Sequence, residues 1–194
     1  MIDLLDASSD QLRLAVARSF LVYSTPTLIE LLSDDNVIVR TSAARELQTR
    51  GGVDVFQAGL AAARHPRFEM REIAAFLLGQ LGTPKCPYAE MTYPILVSLL
   101  DDPYYEVVAA SGSAFGSLAS LGHFANDEIF AMVRRLETAD KSDVRGAVAY
   151  SLGFLDDDDG KGVLERLACD CAIEVRDVAE FSLELRADRT TPTG

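Results

Sequence analysis

Side chains able to do chemistry are sparse in this chain, and their spacing excludes most catalysis. The two histidines stand apart, as His65-Pro66 and His123-Phe124. A zinc site needs about four nitrogen or sulfur ligands in one array. Two scattered histidines, the isolated Cys86 and Cys169-Asp170-Cys171 do not supply one. Cys169 and Cys171 read as partly buried packing at a helix turn rather than a redox pair. The densest charge run is Asp156-Asp157-Asp158-Asp159-Gly160-Lys161. A calcium loop needs alternating ligands and a closing Glu about 12 residues on; without that alternation the run reads as a solvated acidic loop. Lys161 follows Gly160 without the Gly-x4-Gly-Lys-Ser/Thr frame that cradles phosphate. No Gly-x-Ser-x-Gly occurs, and Ser, His and Asp fall in no catalytic frame. No catalytic residue, metal or cofactor is therefore expected.

Composition narrows the partner. The 194 residues carry 30 acidic and 18 basic side chains, a net charge of −12. Duplex binders concentrate Lys and Arg to displace counterions, so nucleic acid is disfavoured. An odd number of cysteines without close partners is no disulfide framework, and reduced thiols point to the cytosol. The start, Met1 to Asp10, lacks the basic and apolar regions of a secretory signal. No run approaches the roughly 18 apolar residues of a membrane span.

The elements that must position any site come from a repeat. Arg40-Thr-Ser-Ala43-Ala44-Arg-Glu-Leu47 is echoed by Arg71-Glu-Ile-Ala74-Ala75-Phe-Leu-Leu78. Looser copies start at Arg145 and Arg176, and a weak one has Val108 in place of Arg. The anchors 40, 71, 108, 145 and 176 are 31, 37, 37 and 31 residues apart. A recurrence of that length marks a stacked repeat protein. Three-and-four spacing runs throughout and strand alternation is absent, so the expected fold is all-α. It is an α-α superhelix of about five two-helix repeats near 25–52, 53–82, 88–122, 126–155 and 160–186, one domain over 1–186. A helix from about Gln11 to Val22 should seal the first repeat, as solenoid ends require, and residues 187–194 should fray.

Within each second helix, positions −1, +3 and +7 from the anchor share a face and read as core. Position +8 is Gln48, Gly79, Gly116, Gly153 and Glu184. Glycine inside a helix costs about 0.5–1 kcal/mol relative to Ala, so the recurrence implies close approach of the next repeat or a sunken ligand surface. Positions +1 and +5 face away from the first helices: Thr41 and Arg45, Glu72 and Phe76, Ala109 and Ser113, Gly146 and Tyr150, Asp177 and Phe181. Inner helices of such stacks line a concave groove. Arg45, Gln48, Glu72, Phe76, Gln80, Ser113 and Tyr150 are its candidate residues for a peptide or helix; the alternative makes Phe76, Tyr150 and Phe181 inter-repeat core. A second candidate surface is an acidic edge of stacked turns, Asp34, Asp35, Asp101, Asp102 and Asp156 to Asp159 (Asp156, Asp157, Asp158, Asp159), suited to a basic protein surface.

Turn Asp, Val-Arg-x-x-Ala-Ala and Leu-Gly-x-Leu-Gly together resemble the HEAT repeat, in its short PBS-lyase-like form. Phe76-Leu-Leu-Gly79-Gln-Leu-Gly82 and Val144-Arg-Gly-Ala-Val-Ala-Tyr-Ser-Leu-Gly153 carry it best. The resemblance implies an armadillo-like helical fold, with the turn Asp and the anchor Arg forming a ladder between repeats. Arg71 faces His65-Pro66 in its own repeat, and Asp101-Asp102 shares a repeat with Val108. The ladder should break in the middle unless Asp102 bonds to Arg71. The segment Arg40 to Gly52 followed by Arg71 to Gln80 is also similar to the YibA group of enterobacterial HEAT-repeat proteins. That group lies near Rhs polymorphic-toxin loci, which implies an immunity-like role. Three functional readings follow: a non-catalytic protein-binding scaffold or adaptor, a bilin lyase or chromophore chaperone as the repeat's family name implies, and a HEAT-like DNA-repair enzyme. Iron oxygenases of the HEAT type carry repeated His-Glu pairs, which this chain lacks. The charge of −12 and the absence of Trp oppose base repair.

Overall fold

Local capping chemistry sets the helix starts. The computed structural model describes residues 18–123, 127–154 and 158–190, and among them ten helices and no strand. Helix α1 (Thr25–Leu31) has Pro26 in its first turn, and its cap Ser24 accepts from the Thr27 N–H, both favourable there. Helix α2 (Val37–Arg50) is capped by the Asn36 carboxamide and closed by Gly51 at φ 63°, a left-handed stop that glycine takes without strain. The helices continue as α3 (Val53–Ala62), α4 (Phe68–Leu78), α5 (Ala89–Leu99), α6 (Tyr105–Ser120), α7 (Asp127–Arg134), α8 (Ser142–Leu152), α9 (Asp158–Leu167) and α10 (Ile173–Thr190).

The even-numbered helices stack on one another as an inner layer, and each odd-numbered helix packs outside on its own partner. The core runs between the layers. Leu28, Leu47, Leu78, Leu96, Leu118, Leu152 and Leu164 are at most 1% exposed. Each such side chain contributes about 1.5–3 kcal/mol of burial. This is the expected α-α superhelix, with the −1, +3 and +7 positions inward.

Two boundaries differ from expectation. The last helix continues through residues 187–190, assigned to the tail, because nothing between Leu185 and Thr190 breaks a helix. Helix α9 begins at Asp158, inside the run read as a solvated loop; Asp159 lies in its first turn, where an acidic side chain complements the helix dipole. Of the expected N-terminal seal, residues 18–20 are helical and Phe20 is 6% exposed. The remainder lies outside the described residues. Arg50 ties this end down by donating to the Tyr23 carbonyl at 2.7 Å.

The ladder pairs two of the anchor arginines with the Asp of the following repeat. Arg71 grips Asp102 at 2.6 and 3.0 Å, and Arg145 grips Asp170 at 2.7 and 2.7 Å. Each anchor Arg also donates one nitrogen to two carbonyls of its own turn: Arg40 to Asp34 and Asp35, Arg71 to His65 and Pro66, Arg145 to Ala139 and Asp140, Arg176 to Asp170 and Cys171. Asp102 thus bonds to Arg71, the condition under which the middle of the ladder closes. His65 stands in the sequence where Arg40 would find the next Asp, and Val108 where Asp140 would find its Arg. His65 still does half of an Asp's work, since its Nδ1 accepts from the Arg67 N–H at 3.1 Å as Asp102 accepts from Tyr104 and Asp170 from Ala172.

The glycine column settles in favour of close approach. A Cβ on Gly79 would lie 2.5 Å from the Ala114 Cβ, one on Gly116 2.9 Å from the Ser151 Cα, and one on Gly153 2.9 Å from the Ser182 Cβ. Each glycine at +8 thus receives the small residue at +6 of the next repeat. In the first repeat the incoming residue is Leu77, and Gln48 replaces glycine.

Candidate functional site

Helix stacking brings most of the predicted groove together. Phe76, Gln80, Ser113 and Tyr150, with Ala110 and Ser117, line a depression of about 380 Å³ across α4, α6 and α8. A second, of about 180 Å³, adjoins it and is lined by Val37, Thr41, Glu72 and Ile73. Phe76 and Ala110 belong to both and join them into one groove. The floor is shallow in side chain because Ala110, Ser113 and Gly79 carry almost none. Tyr150 is steadied from behind by Phe154, edge-on at 5.1 Å. The Arg45 guanidinium stands over the Phe76 ring, 5.9 Å from its centre. Phe76 and Tyr150 are half-buried groove walls, whereas Phe181 is 56% exposed, so neither reading offered for these aromatics holds for all three.

Gln48 does not belong to the groove. It is 5% exposed and its amide donates to the Phe76 carbonyl of the next repeat. Its position faces the stacking interface, so it braces Phe76 from behind. Gln80 is partly committed as well, donating to the Ser117 hydroxyl at 3.0 Å.

The acidic edge comes apart. Asp34, Asp35, Asp101 and Asp102 sit in turns between the helices of a repeat, whereas Asp159 starts α9 at a connection between repeats, the opposite end of the helical hairpins. Asp156 and Asp157 lie outside the described residues, as does the side chain of Asp158. Four of the rest are paired with arginines: Asp102 with Arg71, Asp35 with Arg67 at 3.3 Å, Asp101 with Arg135, and Asp159 with Arg134 at 2.8 Å; Asp34 accepts from the Asn36 N–H. A depression of about 480 Å³ on the outer layer is lined by Arg134, Arg135 and Arg166. These arginines are paired too, the last with Glu137 at 2.8 Å.

A different acidic row, missed in the sequence, shares a helix face with the +1 and +5 positions of the groove. Position −2 from the anchor is Glu69, Glu106, Asp143 and Glu174 in the last four repeats, and each is in the first turn of its inner helix. Reading that one column would have found it. Glu72 lies beside this row. Burial pushes its carboxyl above the usual range; Arg40 opposes the rise, and the Glu106 and Glu69 charges add to it. A carboxylate with a raised folded pKa costs stability while it is ionised. Glu72→Gln should therefore raise the melting temperature at pH 7, checked by circular dichroism. The gain should shrink as pH falls from the folded value towards the unfolded one, near about 4.3.

Among the described residues no group of three His, Cys, Asp or Glu side chains could hold a metal ion, and no helix is long and apolar enough to cross a membrane.

The comparisons agree with this architecture. A family model described as HEAT repeats matches residues 25–116. The chain is similar to Protein YibA of Escherichia coli strain K12, 29% identical over 161 residues, covering 81% of this chain and 56% of that protein. YibA of Escherichia coli O157:H7 matches to the same extent, so the chain spans little more than half the length of these curated relatives. A crystal structure of E. coli YibA superposes with a TM-score of 0.80 at 22% identity, covering 93% of this chain and 64% of that one. A designed armadillo repeat protein in complex with the peptide (KR)4 superposes with a TM-score of 0.56 at 16% identity, covering 93% and 95%. At these identities the structural matches show the fold. HEAT and armadillo solenoids share the stacked inner helices that carry the groove.

Proposed function

We propose that this chain is a non-catalytic scaffold that binds another protein in the groove of its inner helices, within the cytosol. The observation that carries the reading is the pair of joined depressions between Phe76 and Tyr150, floored by small residues and set on rigid stacked helices. Solenoids use such concave surfaces for extended partners. Aromatic walls supply contact area at little entropic cost. Two of the three free cysteines are exposed, which fits a reducing compartment. The immunity-like role implied by the YibA resemblance is one form of this activity.

The test is affinity capture from a cytosolic lysate with the wild-type chain and with Phe76→Ala/Tyr150→Ala. Proteins retained by the wild type should be lost from the variant while its melting curve stays cooperative. If the variant keeps the captured proteins in full, the groove is not the binding surface.

A further inference from the structure

We infer that the occupant of the groove is an extended cationic segment of another protein, whose Lys and Arg side chains meet Glu72 and Glu106 and stack on Phe76 and Tyr150. The inference rests on the groove reading above and names the partner's chemistry. Charge complementarity carries it. Glu72 is part of the groove wall, and the row Glu69, Glu106, Asp143 and Glu174 repeats once per inner helix beside it. Acids repeated at that interval suit a strand with cations at intervals along it, the arrangement by which potentials match across an interface.

Of the nearby cations, Arg45 lies over Phe76 and two others are engaged. Arg40 is 7% exposed and bound to the carbonyls of its own turn, and Lys141 stands 4.9 Å over the Tyr105 ring. One acceptor is left over. Glu106 Oε2 is buried without a hydrogen-bond partner among the described residues. Buried polar atoms are nearly always bonded, so a side-chain shift that opens Oε2 to an incoming ammonium or guanidinium gives it the donor it lacks.

The aromatic wall fits the same ligand. Arg45 holds its guanidinium over the Phe76 ring, the same attraction by which an aromatic wall takes a partner's cation; a cation stacking on that face displaces Arg45. The aliphatic stems of Lys and Arg pack on apolar surface while the charged ends reach polar groups. Free turn acids are not an equal competitor, because Asp35, Asp101 and Asp102 are spent on arginines.

The experiment is fluorescence anisotropy of a labelled (Lys-Arg)4 peptide against the full chain, with an acidic peptide of equal length as control. The cationic peptide should bind at low salt and dissociate as salt rises; the acidic one should not bind. Glu72→Gln/Glu106→Gln should weaken binding about tenfold or more. Asp35→Asn/Asp101→Asn, with the same change in net charge on the turn edge, should change it by less than about twofold. Melting curves confirm that both variants fold. No binding of the cationic peptide to the wild type overturns the inference, as does equal weakening by the two double variants. Failure of the groove reading itself is separate: it would show as lysate partners kept by Phe76→Ala/Tyr150→Ala.

Discussion

Arg145→Met is expected to cost the solenoid about 3–5 kcal/mol, the loss typical of breaking one side of a buried ion pair. The Arg145 and Asp170 side chains are 11% and 9% exposed, so neither can recover its interactions from water. The guanidinium makes two bonds to the Asp170 carboxylate and two to the carbonyls of Ala139 and Asp140. Removing it leaves a buried carboxylate held only by the Ala172 N–H and Cys171 and unpairs two turn carbonyls. Urea unfolding at pH 7 should show a lower midpoint. Arg135→Met breaks a pair that is 49% and 69% exposed and should change stability by less than about 1 kcal/mol. Equal losses in the two variants would sink the argument that burial, not charge pairing as such, gives the ladder its strength.

The same pair sets an acid sensitivity whose sign is fixed. The Arg145 hydrogen bonds hold the Asp170 carboxyl far below the usual range, with burial opposing and the Ala172 N–H adding. Burial pushes Asp102 up, yet Arg71 and the Tyr104 N–H outweigh it and hold that carboxyl low as well. For both groups the folded pKa lies below the unfolded one. Their contribution is complete above the unfolded value near about 3.9 and drains away as pH falls through the folded value. Glu72 acts in the opposite sense at milder acidity, so stability against pH should have its maximum below neutrality and drop steeply in strong acid.

Anchor spacing and the −1, +3, +7 columns made the layers legible, because burial and helical period leave their mark in residue type. The groove was legible for the same reason: Phe76, Ser113 and Tyr150 occupy one column, and stacking keeps columns together. Two features were not. Gln48 shares a column with glycines, and its reach to the Phe76 carbonyl of the next repeat, which makes it a strut, leaves no mark in that column. The acidic edge failed because acids were grouped by their prominence in the sequence. Which end of the hairpin each occupies decides where it lies, and a neighbouring Arg decides whether its charge is free.

Gly79→Ala and Gly146→Ala should move stability in opposite directions, although both place a methyl on a glycine of the inner layer, one capping α4 and one inside α8. At Gly79 the new Cβ would sit 2.5 Å from the Ala114 Cβ and 2.8 Å from the Ala114 Cα. The second of these is backbone, so no side-chain rotation relieves the contact and α6 must move away from α4. Overpacking of this kind costs about 1–3 kcal/mol, more than the gain in helix propensity returns. At Gly146 nothing lies within 4 Å of the new Cβ, and the substitution should stabilise by about 0.5–1 kcal/mol. Thermal melts of the two variants check the pair. Because the displaced contact lies under the wall between Phe76 and Ser113, Gly79→Ala should also weaken whatever the groove binds. A Gly79→Ala protein as stable as the wild type would mean that the repeats are not in van der Waals contact at this column, and the small residues at +8 would then need another explanation.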